Sequence, residues 1–372
     1  MKKTLLITID FPPQIGGIAN YLANFCENLP PDKIIVLANK PENKNNFDSR
    51  QGYKIIREKL FYKYFWPKWL KTYFIAQKIV KQEGIEQVII SHVLPMGYIA
   101  LLLKLPYICI FHGYDIMLAK KSTWKRLWLK KILKRAKCLI ANSNFTKKEI
   151  IKEDIGNKKI IIVYPCPHIK PENTNNAETQ IIKKELDLFH KKILLSVGRL
   201  VARKGFDKVI ESLPEILKNM PNLIYLIIGN GPDLQRLKKL AEDLQVRGNI
   251  IFIHDLKDSK LPIYYELADI FIMPARIENQ TDVEGFGIVY LEANLFKKPV
   301  VAGKSGGIED SVIDGQTGIL VDPQDINEIS QAVLKLLNNP ELMNKLGVQG
   351  KKRVLSQFQW PTQIKKIINY LD

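Results

Sequence analysis

Short apolar runs alternate with amphipathic stretches along nearly the whole chain, and that alternation confines it to one architectural class. TLLITI (4–9), KIIVLA (33–38), YKIIRE (53–58), QVIIS (87–91), YICIF (107–111), CLIANS (138–143) and KIIIVY (159–164) are brief and rich in β-branched residues. Runs of that kind read as strands buried on both faces of a parallel sheet. The stretches 18–29, 70–82, 122–135 and 144–152 between them read as helices. At PCPHIKPENTNNAETQ (165–180) the rhythm stops, and this Pro/Asn/Thr-rich segment reads as a linker. It then restarts with ILLSVGRL (193–200), LIYLIIGNG (223–231), NIIFIH (249–254), DIFIMP (269–274) and PVVAG (299–303). Helices are expected at 205–219, 233–245 and 288–296, and the last 50 residues read as mostly helical. FQWPTQIKKIINYL (358–371) has helical periodicity with Pro361 near its start.

Strands alternating with helices give parallel sheets covered on both faces, so the expected class is α/β with two Rossmann-like domains. The expected boundaries are 1–165, joined by the C-terminal helix 358–372, and 166–357. Ligands of such sheets bind beyond the carboxyl ends of the strands, here in a cleft between domains. The composition, 46% hydrophobic and 25% charged, excludes bulk disorder. The apolar run of the N-terminus, Leu5–Ile9, is ended by Asp10 and is too short for a signal peptide. No segment has the roughly 18 apolar residues of a membrane span. Cys26, Cys109, Cys138 and Cys166 make no C-x-x-C pair. A reducing, cytoplasmic setting is therefore expected.

The charge is regional. Of a net +18, residues 51–160 carry +16, from 23 Lys/Arg against 7 Asp/Glu. A nucleic acid, a membrane surface or a phosphorylated substrate would each suit such a region, and so would solvated lysines with no partner. Within it, FYKYFWPKWLKTYF (61–74) and KKSTWKRLWLKKILKRAK (120–137) interleave aromatics with cations, and the second places Trp124, Leu127, Trp128 and Leu129 among them. That mixture suits an anionic membrane surface or single-stranded nucleic acid.

Several loops at strand ends carry chemistry. Gly16-Gly17, before the first helix, would let backbone approach an anion at a helix start, although an ordinary strand–helix turn uses the same residues. Phe111-His112-Gly113-Tyr114-Asp115 puts a histidine on the binding edge of the sheet, and His92 also follows a strand. In Ser196–Gly205, Arg199 and Lys204 would hold a pyrophosphate, Arg as a fixed fork and Lys as a point charge. Gly229-Asn230-Gly231-Pro232 lacks the third glycine of a dinucleotide fingerprint and reads as a turn bordering the cleft. Glu284-Gly285-Phe286-Gly287-Ile288-Val289-Tyr290-Leu291-Glu292 sets two carboxylates eight apart around a Gly-Phe-Gly loop and a helix start, fit for phosphate and sugar hydroxyls. Gly303–Asp310 and Asp314–Gly318 are turn-rich loops. No D-x-D occurs, so phosphate charge falls to Arg199, Lys204 and helix ends, and neither metal nor cofactor is expected.

Together and in this order, these residues resemble the retaining GT-B glycosyltransferases of family 4, also called glycosyl transferases group 1. Ser196–Gly205 and Glu284–Glu292 match that family's G-R-L-x-x-x-K-G and E-x7-E patterns. DVEGFGIVYLEA (282–293) is most similar to bacterial phosphatidylinositol mannosyltransferases. The resemblance covers essentially the whole chain. It departs at His254, where many relatives have Gly, and at Glu309-Asp310, where many have Pro-Glu.

The resemblance implies the GT-B fold, two Rossmann-like domains facing a central cleft. It implies that Gly16 and Gly17 approach the donor phosphates or the acceptor. His112 would contact the transferred sugar near C6. Gly198, Arg199 and Lys204 would clamp the diphosphate. Glu284 would contact the donor sugar, with Phe286, Gly287, Ile288 and Val289 supplying nearby backbone. Glu292 would bind the ribose, and the base would rest near His254–Leu256. His112, Arg199, Lys204 and Glu284 form the implied catalytic set. The activity implied is transfer of a hexose, mannose first among candidates, from a nucleotide-sugar donor to a lipid-linked or glycan acceptor. GDP-mannose leads as donor and UDP-sugars follow. With the basic region on the acceptor side, peripheral attachment to the inner face of the plasma membrane is expected. The alternatives are a soluble enzyme acting on a sugar or polysaccharide, and a basic nucleic-acid-binding module, which the absence of any nucleic-acid motif sets behind.

Overall fold

The structure is a computed structural model that describes all residues except 15, 42–45, 174 and 175. Ile15 of the Gly16-Gly17 loop and 174–175 of the expected linker therefore lie outside the described residues. The chain divides into two compact units, Met1–Cys166 with Trp360–Asp372, and Pro167–Gln359.

The first unit is built on a seven-stranded parallel sheet. Its strands are β1 (Thr4–Ile7), β2 (Ile34–Asn39), β3 (Lys54–Glu58), β4 (Gln87–Ser91), β5 (Tyr107–Phe111), β6 (Cys138–Ala141) and β7 (Ile160–Ile162), in the order β3-β2-β1-β4-β5-β6-β7. The helices are α1 (Gly17–Glu27), α2 (Leu70–Glu83), α3 (Val93–Leu103), α4 (Tyr114–Lys120), α5 (Thr123–Arg135) and α6 (Asn144–Ile151). The second unit holds α7 (Asn176–Glu185), β8 (Lys192–Val197), α8 (Phe206–Asn219), β9 (Leu223–Ile228), α9 (Leu234–Asp243), β10 (Ile250–Ile253), α10 (Leu261–Leu267) and β11 (Ile270–Met273). It continues with α11 (Ile288–Leu295), β12 (Val300–Gly303), α12 (Ile308–Ser311), β13 (Gly318–Val321), α13 (Ile326–Leu337) and α14 (Pro340–Gln357). Its six strands are parallel in the order β10-β9-β8-β11-β12-β13. The α/β class with two Rossmann-like sheets is what the alternation predicts.

Each strand order reverses once, between β1 and β4 and between β8 and β11. At such a point neighbouring connections leave to opposite faces and open a crevice at the carboxyl ends. The strands can flank a crevice without losing stability because they are buried throughout. Leu5, Leu6 and Ile7, and Leu194 and Leu195, are sealed from solvent. Full burial of each such side chain contributes roughly 1.5–3 kcal/mol.

The chain's end belongs to the first unit. Helix α15 (Trp360–Lys365) sets Trp360 5.3 Å from the Tyr21 ring of α1, and Gln363 Oε1 accepts from the Tyr164 N–H at 3.0 Å. The helix expected to run to 371 ends at Lys365 and yields to a 3₁₀ turn at Ile368–Tyr370. The linker expectation for 165–180 also needs correction, since α7 begins at Asn176. That helix buries Thr179 and leaves Ile181 exposed, so it has almost no apolar stripe to announce it. Helix α3 went unread for the opposite reason: it is apolar all round and has no polar face to set a period. Strand β13 begins inside the loop expected to be only a turn at 314–318.

Candidate functional site

The crevice of the second unit is assembled from backbone contacts first. The loop after β8 runs against the loop after β9, with Gly198 N–H donating to Ile228 O at 2.9 Å and Leu200 N–H to Asn230 O at 2.9 Å. A Cβ on Gly229 would lie 2.0 Å from Gly198 O, and one on Gly231 2.2 Å from Leu200 O. The Gly-Asn-Gly segment is thus explained by close backbone approach. Gly205, at φ 76°, sits where a Cβ would meet Pro274 O at 2.1 Å. The start of α8 is thereby pressed against the end of β11, which carries the 3₁₀ turn Ala202–Lys204 to the Glu284 loop.

There a buried ion cluster forms. Glu284 Oε2 lies 2.6 Å from Lys204 Nζ and 2.5 Å from Arg203 Nη1, and Arg203 Nε lies 3.0 Å from Asp282 Oδ1. Burial would raise the Glu284 carboxyl, but Lys204 and Arg203 pull it down to about 2. Lys204 is buried at 8% exposure, so its cation faces little water. The Glu284 loop is backed by Gly306-Gly307: the Gly307 N–H donates to Glu284 O at 2.9 Å, and a Cβ on Gly306 would lie 2.5 Å from that same oxygen. Gly287, at φ 83°, opens α11, and the first turn of a helix leaves N–H groups without intrahelical partners at Ile288 and Val289. Phe286 turns inward, its ring 5.8 Å from Phe358, so this donor-site candidate lines the core. Glu292, one turn on, is also buried. Its Oε2 accepts from the Tyr265 hydroxyl at 2.9 Å and its Oε1 lies 3.7 Å from His168 Nδ1. Burial raises the Glu292 carboxyl against the opposing pull of His168 and Tyr265.

Other expected residues stand apart from this cluster. Arg199 is exposed and has no ion-pair partner among the described residues. Arg203, from the same segment, joins Lys204 at Glu284, and sequence reading passed over it. His254 and Leu256 are half-buried beyond β10, with His254 Nδ1 3.1 Å from Gly229 O. Behind the cluster, Arg276 Nη1 and Nη2 donate to the two oxygens of Asp207 at 2.8 and 3.0 Å. The Arg276 N–H also donates to Arg203 O at 2.8 Å. That network fixes the backbone from which Arg203 reaches Glu284.

The crevice of the first unit holds different groups. Gly16 and Gly17 precede and open α1, and a Cβ on either meets nothing within 4 Å. Neither packing nor backbone angle therefore requires glycine at these two positions. His112, buried beyond β5, has Nε2 2.9 Å from Ser91 Oγ at the end of β4. Burial first, and then the charge of His92, pushes the His112 ring down to about 3. His92 Nε2 lies 3.1 Å from Asp10 Oδ2, beyond β1. Burial would lower the His92 ring, but Asp10 and Asp115 prevail and raise it. Asp10, Ser91 and Asp115 were not singled out from sequence, although a charged residue directly after a first strand sits on the binding edge.

The two aromatic-basic segments of the first unit meet through a third. Trp69 stacks on Tyr98 of α3 at 5.2 Å, Tyr98 meets Trp128 of α5 at 5.3 Å, and Trp128 meets Trp124 at 6.0 Å. Helix α5 carries two stripes. Leu129, Ile132 and Leu133 face the core, which removes Leu129 from the exposed set. Trp124 and Leu127 are each 64% exposed, beside Tyr64 at 89% and Trp66 at 80%. Lys131 Nζ lies 4.7 Å from the centre of the Trp128 ring. Lys120, Arg126 and Lys152 pair with Glu149 and Glu153, whereas Lys125, Lys130, Lys131 and Lys134 have no ion-pair partner among the described residues. No helix is long and apolar enough to cross a membrane, among the described residues.

Two reversed-order parallel sheets, one crevice carrying a buried cation beside a helix start and the other carrying histidines, are the architecture of the GT-B fold. The likeness to a sucrose-phosphate synthase from Thermosynechococcus elongatus agrees in fold, with a TM-score of 0.84 at 20% identity over 100% of this chain and 99% of that one. Residues 15–167 match Glycosyltransferase Family 4, and residues 178–353 match Glycosyl transferases group 1. A GDP-mannose-dependent alpha-(1-6)-phosphatidylinositol monomannoside mannosyltransferase of Mycolicibacterium smegmatis is 30% identical over 99% of this chain and 98% of its own length. The corresponding enzyme for the monoacylated acceptor in Corynebacterium glutamicum is 29% identical over 100% and 98%. The chain belongs to glycosyltransferase family 4.

Proposed function

We propose that this glycosyltransferase moves a hexose, mannose first among candidates, from a nucleoside-diphosphate sugar to a lipid-linked or glycan acceptor, with retention and at the cytoplasmic face of the membrane. The observation that carries the reading is the buried Lys204–Glu284–Arg203 cluster beside the start of α11. A departing diphosphate gathers negative charge, and preorganised cations and N–H dipoles in a site shielded from water stabilise it. Lys204 and the exposed Arg199 take the phosphates. Arg203 keeps Glu284 ionised and aimed at the donor sugar. Glu292 offers Oε1 to the ribose, since Tyr265 occupies its other oxygen. His254 and Leu256 border the base. His112 and the open backbone at Gly16-Gly17 serve the sugar and acceptor on the first unit. Retention follows the front-face course, in which the leaving phosphate takes the acceptor proton. The names of the full-length relatives favour GDP-mannose over UDP-sugars.

The exposed Trp124, Leu127, Tyr64 and Trp66 among unpaired lysines support a peripheral membrane face on the acceptor side, because aromatics and cations together suit an anionic interface. Release of GDP or UDP from each sugar donor with lipid extract tests the transfer. No release with any donor overturns it. Flotation with anionic vesicles tests the membrane face, and failure to float moves the acceptor to a soluble sugar or polysaccharide.

A further inference from the structure

Asp10, Ser91, His92 and His112 come from three neighbouring strand ends and form one hydrogen-bonded line. His92 Nε2 lies 3.1 Å from Asp10 Oδ2, His92 Nδ1 3.4 Å from Ser91 Oγ, and Ser91 Oγ 2.9 Å from His112 Nε2. A carboxylate only accepts, so His92 Nε2 carries a proton whether the ring is charged or neutral. Ser91 has a single hydroxyl proton to give. When His92 is charged, Nδ1–H donates to Ser91 Oγ, and Ser91 donates onward to His112 Nε2. The lone proton of neutral His112 then sits on Nδ1. When His92 is neutral, Nδ1 accepts from Ser91, and Ser91 can only accept from His112 Nε2–H. The His112 proton is then on Nε2.

We infer that His92, anchored by Asp10, sets through the Ser91 hydroxyl which ring nitrogen of His112 carries its proton. Asp10, Ser91 and His92 are thus positioning residues. His112 Nδ1 has no hydrogen-bond partner among the described residues. On the reading above it is the nitrogen that meets the sugar, a donor when His92 is charged and an acceptor when it is not. Other features of the line agree. His92 is held at φ 69°, a conformation that a non-glycine residue takes only when its surroundings impose it. Ser91 is sealed from solvent, so no water competes for its proton. Asp115 Oδ1 accepts from the His112 N–H at 3.0 Å and fixes that backbone. The titratable groups facing His92 are Asp10 beyond β1, Asp115 on α4 and His112 beyond β5, and the two acids outweigh burial in favouring the cation.

The test is read on the ring itself. Histidine-selective ¹⁵N labelling of the free full-length chain gives five rings to assign. As pH rises through the His92 titration, the two ¹⁵N shifts of His112 should exchange their protonated and bare signatures. Ser91→Ala should leave His92 titrating while His112 no longer follows. His92→Asn, a residue that tolerates left-handed backbone, should lock His112 in one tautomer at every pH. A wild-type His112 whose tautomer stays fixed while His92 titrates overturns the inference, and so does unchanged coupling in Ser91→Ala. In the transferase assay, the wild-type turnover profile should carry a His92 limb that Ser91→Ala lacks. Absent transfer with intact coupling in the spectra would count against the proposed function alone.

Discussion

The two crevices share a topology and differ in chemistry. At β8/β11 the groups are two cations on one carboxylate that stays ionised down to about pH 2. At β1/β4 they are two imidazoles, a hydroxyl and a carboxylate, groups whose protons can be rearranged near neutral pH. The outer surfaces are reversed. The unit with the proton-handling crevice carries nearly all of the chain's excess charge, +16 of +18 within 51–160. The unit with the ionic crevice is otherwise close to neutral. The fold supplies the location in both cases, and the side chains alone decide what that location does. Fixed charge suits a leaving diphosphate, whereas movable protons suit a sugar hydroxyl.

The strongest blow to this contrast is Glu284→Gln. It leaves the buried Lys204 without its anion, while the half-buried Arg203 keeps Asp282, a loss expected to cost about 3 kcal/mol, the low end for a buried pair. Urea unfolding of the full chain should show it as a lowered midpoint, and a loss under about 1 kcal/mol would mean the cluster is effectively solvated. Lys204→Ala should leave the fold standing, because Arg203 still holds Glu284, yet lower turnover by about 10²–10³. Arg199→Ala should lower turnover without touching stability, since that side chain is exposed. Near wild-type rates in both would discard the clamp. Charge reversal of Lys130, Lys131 and Lys134 addresses the outer surface. At about 1 kcal/mol per cation near an anionic leaflet, loss of the three cations alone should lower vesicle affinity on the order of a hundredfold, and their reversal by more. Donor affinity should be unchanged. Unaltered flotation would separate the basic face from the membrane.

How much of this was readable depends on how local each cause is. The strands were legible because each is a self-contained run, and YICIF and QVIIS match β5 and β4 to the residue. Helices α3 and α7 were not, one having no polar face and the other no apolar one. Lys204, Glu284 and Glu292 were legible through spacing and resemblance. Arg203 was not, because nothing in GRLVARKG says which of its two arginines turns toward a loop some 80 residues away; the side-chain contact settles it. Leu129 misled for a related reason, since a leucine among lysines does not announce which way it points. The Asp10–His92 pair joins two strand ends far apart in sequence, and only the β1/β4 register brings them together.

The smallest expected effect separates the crevices by pH. Glu284 has its carboxyl lowered from 4.5 to about 2, so its contribution to stability is complete above pH 4.5 and is lost as pH falls toward 2. His92 has its ring raised above 6.5, so its contribution is complete below that value and is lost as pH rises through the folded value. His112, lowered from 6.5 to about 3, makes the first unit lose stability in acid as well, so falling pH loosens both units, whereas rising pH through the folded His92 value loosens the first alone. Asp10→Asn should shrink the limb at rising pH at a cost of about 1 kcal/mol, because the pair is partly exposed, a single hydrogen bond is at stake and Asp115 still favours the His92 cation. Amide hydrogen exchange resolves the units, with β1 and β4 reporting on one and β8 and β11 on the other. The wild type should lose protection in all four strands toward low pH, and in β1 and β4 alone toward high pH. If Asp10→Asn instead changes the protection of β8 and β11 at either limb, the crevices are not electrostatically independent and the contrast between fixed charge and movable proton fails.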